Sequence, residues 1–490
     1  MAYKHGAYGE ITSSKVTDAQ QADVVAAYIG TAPVNLIRGY ADANIINMPV
    51  KVANMSDTQS KLGYSEDWEG FTLCEAFAEH FDNTVGNVGP IYVVNVLDPD
   101  VHKKAEKTTK ELSFSNQRAE FESSDIILDT FAIADKTEGV DYVLEYDFAK
   151  GAVVVKLLAE AADDALQCSF NTVDPTLVKE ADIIGQTTED GQYTGLHAMK
   201  LLYQYHNAVL NLLAAPGWSH KPTVYKAMVS IVQKLNGHWD GFVNADIPLV
   251  DADGEAINTI AKAIEWKAAN GYTSEFSKVY WPKGKDGSGR VFHASTAGQA
   301  TMLRVDLSHD GVPFESPSNK EIMATAQYFG EDSKNKGFDQ ETANGLNEKG
   351  ITTLCFWGGQ WVLWGPHTAA YSYNGSTDAR AIFDVNIRML MYITNSFQLD
   401  HGTKIDQPMT PQDKDTILNF EREKLDTLGG IGALIGTPTV EFLETANPVS
   451  DMMNGDFVWH FSATNTPPFK SGTARVSYTD EGFAAFFETE

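Results

Sequence analysis

The chain has 490 residues, of which 37 are basic and 66 are acidic, so its formal net charge at pH 7 is −29. This charge argues against a nucleic-acid-binding protein and against a peripheral protein of anionic membranes, because both need a basic face. Hydrophobic residues make up 43% of the chain and charged residues 21%, which excludes extensive disorder. The length predicts about three domains, with cores that need neither disulfides nor metal ions.

Neither a signal peptide nor a membrane span is indicated by the sequence. The N-terminus has no apolar core of the required length, and the longest apolar runs, Val24–Ile29 and Ala208–Ala215, are far shorter than a spanning helix. Cys74, Cys168 and Cys355 are odd in number, widely spaced and flanked by apolar residues. We therefore predict three buried free thiols and synthesis in a reducing cytoplasm.

The first elements predict a β–α–β unit. Buried strands are expected over Val24–Gly30 and Ile91–Leu97, and between them a helix over Trp68–Phe81, whose apolar residues recur every three or four positions. Residues 101–185 consist of short alternating stretches broken by charged turns, with one possible helix near Leu157–Leu166. We predict that they form an inserted, mostly β domain.

Strands and helices alternate again from residue 190 onward. The expected helices are Leu196–His206, Pro222–Leu235 (closed by Gly237) and Ile257–Ala268, and the expected strands are 209–215, 242–249 and 279–282. This alternation indicates a largely parallel or mixed sheet with helices on its faces. Residues 283–350 are rich in Gly, Asn, Ser and Pro, and we expect long surface loops there.

The C-terminal part predicts a strand pair, two helices and further strands. The expected elements are strands at Thr352–Trp357 and Trp361–Trp364, and helices at Ile382–Phe397 and Asp413–Leu428. Phe457, Trp459 and Phe461 then point to one side, and Val458, His460 and Ser462 to the other. Behind Pro467 and Pro468, the residues Ala474, Val476 and Tyr478 repeat this alternation. A strand in this position is expected to pair with an exposed sheet edge.

Three segments match catalytic or metal-binding motifs in part, and each lacks a required residue. Gly284–Gly289 lacks the Lys-Ser/Thr pair of a phosphate loop, and Gly217–Lys221, which holds Ser219 and His220, lacks the second glycine of a nucleophile elbow. Asp251–Glu255 begins like a calcium loop, but Lys262 stands where the bidentate acid belongs. His197 and His206 favour surface positions, and Trp357, Trp361 and Trp364 favour core or interface packing. We predict no catalytic residue, no cofactor and no metal.

Several short strings share their order with one protein family. They are Gly6–Ile11, Ala214–Trp218, Asp246–Pro248, Tyr280–Pro282, Ser295–Gly298, Ser316–Lys320, Leu346–Ile351, Trp364–Thr368 and Asn386–Met389. In this order they resemble the contractile tail sheath proteins of myovirus-type phages and phage-tail-like particles, over about 1–98 and 190–490. The chain departs from the family's pattern at His5, where the family has proline, at Pro366-His367, and at Arg388, where it usually has two arginines.

The resemblance implies a structural subunit without enzymatic activity. Such subunits polymerise as stacked hexameric rings around a tail tube and contract from a metastable extended state, which drives the tube through a cell envelope. The implied partners are further copies of the chain, the tail tube protein, and the baseplate and tail terminator proteins. The implied location is the host bacterial cytoplasm during assembly, and then the virion tail or a released particle. Another phage tail assembly protein and, less favoured, an unrecognised α/β enzyme are the alternatives.

The expected fold is an α/β multidomain chain with a mixed-sheet core and helices on its faces. We assign 21–98 and 190–472 to the core, 101–185 to an outward-facing β-rich insertion, 1–20 to an N-terminal arm and 473–490 to a C-terminal arm strand. Residues expected to join neighbouring subunits are Tyr3, Gly6, Tyr8, Glu10, Ile11, Ala474, Val476 and Tyr478. Hinges are expected at Thr17–Ala22 and Ser462–Gly472. Lys414, Arg422 and Lys424 are candidates for contact with the tube, and a solvated helix face is the alternative.

Overall fold

The structure, a computed structural model, describes residues 24–158 and 165–487. The arm residues Tyr3, Gly6, Tyr8, Glu10 and Ile11, and the hinge expected at Thr17–Ala22, lie outside the described residues. The α-helices are α1 (Met55–Lys61), α2 (Leu73–Phe81), α3 (Glu180–Ile184), α4 (Leu202–His206), α5 (Pro222–Ile231), α6 (Ile260–Asn270), α7 (Ala294–Leu307), α8 (Gln340–Asn347), α9 (Asp384–His401), α10 (Pro411–Gly430) and α11 (Val449–Asn454).

Nineteen strands build the sheets of the described residues. They are β1 (Val25–Gly30), β2 (Pro49–Val52), β3 (Ile91–Asn95), β4 (Thr108–Ser113), β5 (Arg118–Glu122), β6 (Ala132–Ile133), β7 (Tyr142–Asp147), β8 (Ala152–Leu157), β9 (Ala165–Phe170), β10 (Leu210–Ala214), β11 (Phe242–Asp246), β12 (Ser277–Tyr280), β13 (Lys283–Lys285), β14 (Val291–Phe292), β15 (Ala326–Tyr328), β16 (Ile351–Trp357), β17 (Gln360–Trp364), β18 (Leu434–Glu441) and β19 (His460–Asn465).

The largest sheet has eight strands in the order β17-β16-β12-β11-β10-β1-β3-β2. Its six inner strands are parallel, and only the two outer strands, β17 and β2, are antiparallel to their neighbours. Every residue of β1, β3, β11 and β12 is buried. Parallel strands covered by helices on both faces tend to read as apolar runs, as β1 and the first four residues of β3 do, whereas β11 and β12 also contain polar residues such as Asn244 and Lys278. The predicted mixed α/β core is confirmed.

Several predicted boundaries were wrong at the ends of elements. The helix expected over Trp68–Phe81 begins only at Leu73, because Thr72 and Leu73 donate their backbone N–H groups to Thr31 in the loop after β1. The helix that begins at Pro222 ends at Ile231, six residues before Gly237. The first half of the helix expected at Leu196–His206 is a 3₁₀ turn. Hydrogen bonds of this kind set the ends of helices, and the spacing of apolar residues in the sequence does not reveal them.

The prediction of long surface loops over residues 283–350 was wrong. This stretch contains α7, and twelve of its fourteen residues are buried. The helix packs against α2 and against strands β1, β10, β11 and β12. Small residues make this close packing possible: a Cβ atom at Gly298 would lie 2.4 Å from the Tyr280 hydroxyl. A helix buried on all sides has no polar face, so its sequence shows no amphipathic period.

Residues 108–170 form two three-stranded antiparallel sheets, β4-β9-β6 and β5-β8-β7. They enclose an apolar cluster of their own, in which the rings of Phe121 and Phe131 stack on Phe170 at centroid distances of 5.6 and 6.2 Å. The possible helix near Leu157–Leu166 falls mostly on residues 159–164, which lie outside the described residues; at its ends, Leu157 closes β8 and Leu166 lies in β9. The mostly β character of this stretch agrees with the prediction, whereas the assignment of the chain to separate domains stays a prediction.

A third apolar cluster lies in the C-terminal part of the chain. It joins the middle of α9, α10 and the β18–β19 ladder through Met389, Ile393, Leu418, Leu425 and Leu434. The side chains of Phe457, Trp459 and Phe461 are half-buried, and those of Val458, His460 and Ser462 are exposed, as the alternation predicted. The β18–β19 ladder and α10, which pack on this cluster, are two of the surfaces described below.

The three cysteines are buried and free, as predicted. Within residues 24–158 and 165–487, no helix is long and apolar enough to cross a membrane. The same residues contain no group of three or more His, Cys, Asp or Glu side chains that could hold a metal ion.

Two glutamates of α2 are buried one helical turn apart. Glu75 accepts hydrogen bonds from the backbone N–H and from Nδ1 of His293, both at 2.8 Å. Glu79 is bound only by Asn83, whose Nδ2 lies 3.2 Å from Oε2, and its Oε1 has no partner among the described atoms. Burial, helped by the Glu75 carboxylate, raises the pKa of Glu79 from 4.5 to about 8. Glu79 is therefore protonated in the folded chain at neutral pH.

Because the pKa of Glu79 is raised, the free energy of unfolding should depend on pH, and Glu79→Gln should remove this contribution. Between pH 4.5 and about 8 the folded state holds a proton that the unfolded state releases, so the free energy of unfolding falls as pH rises, by about 1.4 kcal/mol per unit. We expect urea unfolding from pH 5 to 8 to show a flatter profile for Glu79→Gln than for the wild type. Glu69→Gln, the same change at an exposed position, is the control. Parallel profiles for the wild type and Glu79→Gln would contradict the assignment.

Candidate assembly surfaces

The β18–β19 ladder is the C-terminal sheet of the described chain. The two strands are antiparallel, with Leu434 opposite Asn465 and Glu441 opposite His460. Within the described residues no third strand joins them. An isolated pair of strands is marginal in water, and both of its outer edges offer unpaired N–H and C=O groups. The ladder is therefore suited to receive additional strands.

The edges of the main sheet, by contrast, are covered by the chain itself. Along β17, Leu363 exchanges backbone hydrogen bonds with residues 319–320, at 2.7 and 3.1 Å. Along β2, the carbonyl oxygens of Pro49 and Lys51 accept hydrogen bonds from His206 Nε2 and Lys61 Nζ, at 2.8 and 2.9 Å. These contacts block further pairing at both ends of the sheet.

The C-terminal segment 466–487 leaves β19 without forming a strand in its own chain. Ala474, Val476 and Tyr478 are all exposed, Val476 to 92% and Tyr478 to 84%. The arm strand predicted over 473–490 thus has no partner within the described part of its own chain. Of the hinge expected at Ser462–Gly472, residues up to 465 belong to β19, and Thr466 donates its N–H to the Ala433 carbonyl at 3.1 Å, while the hinge itself stays a prediction.

Helix α10 carries the three candidate tube-contact residues. It begins at Pro411, two residues before the predicted start at Asp413, because Thr410 and Asp413 form a capping box and Pro411 suits the first turn. Lys414 Nζ lies 2.8 Å from Asp415 Oδ1, and Lys424 forms an ion pair with Asp400.

Arg422 is exposed on this helix, and among the described residues it has no carboxylate partner; Nη1 lies 3.5 Å from Asn419 Oδ1. Of the three candidates, Arg422 thus keeps its charge available for another molecule, whereas Lys414 and Lys424 are compensated within the chain. Contact of these residues with a tube stays a prediction.

Thr72 packs closely against the chain at the place where a doubly wound α/β fold binds ligands. Such ligands lie outside the carboxyl ends of neighbouring strands that lead to opposite sides of the sheet, here β1 and β10. Thr72, at the start of α2, packs against both ends. A Cβ atom at Gly30 would lie 2.3 Å from Thr72 Oγ1, and one at Gly217 would lie 2.8 Å from Thr72 Cγ2.

Ser219, which was considered as a nucleophile, is fully buried. Its Oγ lies 3.1 Å from Asp246 Oδ2, and Ser295 binds the same carboxylate through its N–H and hydroxyl groups. Burial lowers the pKa of His220 to about 3, so this imidazole is neutral. The cluster ties the ends of β10 and β11 to the first turn of α7, and a substrate has no access to Ser219.

The other motif-like segments form ordinary turns or packed positions. In Asp251–Glu255 the Asp251 carboxylate accepts N–H groups from Asp253 and Glu255, at 3.0 and 2.8 Å, as an Asx turn does. In Gly284–Gly289 the Asp286 carboxylate holds Arg290 in the same way.

Two curated relatives of this chain are phage tail sheath proteins. The chain is 25% identical to the tail sheath protein of Burkholderia phage BcepMu over 475 residues, which cover 92% of the chain and 95% of that protein. It is 27% identical to the tail sheath protein of Escherichia phage P2 over 315 residues, 62% of the chain and 72% of that protein. The chain is a homologue of phage tail sheath proteins. No protein-family model matches it.

Solved structures show that the sheath homologue shares its fold with contractile injection systems. The sheath complex of an extracellular contractile injection system, PVC, in its contracted state matches with a TM-score of 0.56 at 12% identity, over 98% of this chain and 99% of that one. The contracted helical sheath of the anti-feeding prophage (AFP) matches with 0.53, and the AFP baseplate with 0.52, both at 13% identity over 98% of this chain and 100% of those. The predicted fold class is thereby confirmed.

The sheath homologue also exposes an aromatic surface that the sequence did not separate from core packing. The β16–β17 hairpin turns at Gly358 and Gly359, whose φ angles are 63° and 90°. At its tip, Phe356 is 58% exposed and Trp357 is 47% exposed. Their rings contact the half-buried Trp361 and Trp364 across the hairpin. The close spacing of Trp357, Trp361 and Trp364 in the sequence indicates an aromatic cluster. Its exposure could not be predicted, because it depends on the position of β17 at the edge of the main sheet.

Proposed function

We propose that the sheath homologue assembles as stacked hexameric rings around a tail tube and contracts from a metastable extended state to drive the tube through a cell envelope. One observation carries the proposal: the same chain has an open-edged ladder, β18–β19, and an exposed, unpaired C-terminal segment. An edge on one copy and a strand from another form a head-to-tail contact, which builds rings or helical arrays.

The arms at both termini join the subunits in this proposal. Residues 1–20, with Tyr3, Gly6, Tyr8, Glu10 and Ile11, and the segment with Ala474, Val476 and Tyr478 add strands to neighbouring ladders. Pairing through the main chain requires only extended backbone, so it persists while the cores rotate during contraction. The high exposure of these C-terminal residues, which pair with no strand of the described chain, supports this role.

Further partners are the tail tube protein, the baseplate and the tail terminator. Arg422, exposed on α10, is the residue best placed to meet an acidic group of the tube. The similarity to a baseplate structure supports attachment at that end. Assembly takes place in the host bacterial cytoplasm, and the product is the virion tail or a released particle.

A structural role without catalysis is also part of the proposal. The burial of Ser219 leaves the most enzyme-like hydroxyl of the described residues without access for a substrate, which supports this role. The relatives are named as tail sheath proteins, which supports the same conclusion.

Negative-stain electron microscopy and light scattering of the purified chain, at several salt concentrations, test the function. We expect six-fold rings or hollow striated tubes. A monodisperse monomer that neither tube protein nor baseplate converts into rings or tubes would overturn the proposal.

The net charge of −29 per subunit predicts that contraction depends on salt. If like charges lie close together in the extended form, contraction relieves their repulsion, and added salt removes this gain because the Debye length falls from about 10 Å at 0.1 M to about 3 Å at 1 M. Extended sheaths should then need a higher temperature or more denaturant to contract in 1 M than in 0.1 M NaCl. The lengths of the sheaths in micrographs measure this threshold, and a threshold independent of salt would contradict the hypothesis.

A further inference from the structure

The described chain ends in an aromatic turn. Residues 481–486 form a 3₁₀ turn, and Phe483, Phe486 and Phe487 project from it. The rings of Phe483 and Phe486 stack at a centroid distance of 6.2 Å, and Phe486 and Phe487 are 82% and 85% exposed. This segment, the Phe anchor, differs from the alternating Ala474–Tyr478 stretch, because it gathers apolar side chains in a cluster instead of offering a backbone edge.

The Phe anchor stands away from its own chain. Residues 472–479 before it are exposed and belong to no helix or strand. When fully extended, eight residues span about 26–29 Å, enough to carry the anchor to a neighbouring molecule. Exposure of three phenylalanine rings to water is unfavourable in free energy, because burial of each ring would remove apolar surface from water. They therefore point to a partner that covers them.

The size of the segment fits a macromolecular partner. From 466 to 487 it has 22 residues, and most are exposed. A protein interface of standard size takes about 20–30 residues from each side. The whole segment is thus as large as one side of such an interface, which favours a second copy of this chain over a small ligand.

Charge selects the surface that receives the anchor. Asp480 and Glu481 precede the three rings, so an acidic surface would repel it. The exposed apolar group of α11, with Val449 and Met453, includes Asp451 and lies close in sequence to Asp456.

The hairpin Ile351–Trp364 has no charged residue in its 14 positions, and its exposed tip is aromatic. Aromatic rings pair favourably in stacked or edge-to-face arrangements. The tip therefore matches the anchor in chemistry and does not repel it.

We propose that the Phe anchor docks on the aromatic tip of the β16–β17 hairpin, Phe356 and Trp357, in a second copy of the chain. This inference rests on the proposed function and deepens it, because it adds a side-chain contact at a defined site to the backbone pairing of the arm. The contact joins two different surfaces, so it is head-to-tail and extends an array without closing a two-fold dimer.

A photo-cross-link locates the contact directly. A full-length chain with p-benzoylphenylalanine at position 486, mixed with isotope-labelled chain, is assembled, irradiated and analysed by mass spectrometry. We expect links between copies to peptides of residues 351–364. Links confined to one copy, or to other segments, would overturn the proposal.

Matched variants measure its contribution to assembly. Phe483→Ser, Phe486→Ser and Phe487→Ser together, and Trp357→Ser alone, should each raise the critical concentration in light scattering about tenfold or more. Val449→Ser, at another exposed apolar position, is the control and should leave it unchanged. Equal critical concentrations for the wild type and the triple variant would refute the anchor while the sheath function stands. Failure of the wild type to assemble, even with tube protein or baseplate added, would instead refute the proposed function.

Discussion

Lys278→Met should lower the free energy of unfolding by about 3–5 kcal/mol, because it leaves a buried carboxylate without its partner. Lys278 on β12 and Asp384 at the start of α9 are both fully buried, and Nζ lies 2.7 Å from Oδ2. The ammonium group also donates to the His367 carbonyl at 3.2 Å. Burial lowers the pKa of Lys278, and the Asp384 carboxylate opposes this shift. Urea unfolding followed by circular dichroism measures the loss.

Two further variants make this test specific. Lys278→Met combined with Asp384→Asn removes both charges and should recover much of the loss, since the uncompensated charge is then gone. Lys104→Met, in the exposed pair with Asp125, should cost less than about 1 kcal/mol. If Lys278→Met costs no more than Lys104→Met, the buried pair does not stabilise the core as inferred.

Buried ion pairs fasten α9 to the main sheet and to α7. One turn after Asp384, Arg388 of α9 forms a second buried ion pair with Asp306 at the end of α7. Further along α9, Met391 packs into the main core and Ile393 into the C-terminal cluster that supports β18–β19. In the proposed assembly, a displacement of the ladder by a neighbour therefore reaches the main sheet through α9.

Much of the fold could be predicted where one physical pattern dominates a segment. Strand β1 and the first four residues of β3 are continuous apolar runs, and α9 and α10 each have one apolar face. The alternation of Phe457, Trp459 and Phe461 indicated a half-buried stretch leading into an edge strand, and their burial confirms it.

Other features depend on contacts that no local pattern encodes. Helix α7 is buried on every side, so small and polar residues replace an apolar stripe. Strand β18 was not predicted, because Gly436 and Pro438 interrupt its pattern at the place where its register with β19 is irregular. The closure of the main-sheet edges arises from residues distant in sequence, such as His206 on Pro49. The open ladder could therefore be recognised as the receiving surface only from the structure.

Truncation after Gly472 should abolish polymerisation and leave soluble monomers with an intact core. Of the removed residues, 473–487 make no backbone hydrogen bond to the rest of the described chain, so their loss costs the fold little. Removal of residues 1–20 is expected to have the same effect. Sedimentation and electron microscopy report assembly, and circular dichroism reports the fold. Rings or tubes formed by both truncated chains would exclude the arms as joints between subunits.

A single substitution, Val476→Pro, separates backbone pairing from the other contacts of the arm. Proline removes the N–H that a ladder needs and fixes φ, whereas Val476→Thr keeps the β-branched shape and the N–H. Val476 is 92% exposed, so neither change disturbs packing within the subunit. We expect Val476→Pro to raise the critical concentration at least tenfold and Val476→Thr to leave it nearly unchanged. If both variants polymerise like the wild type while truncation after Gly472 still blocks assembly, the arm binds through its side chains, and the Phe anchor becomes the main joint.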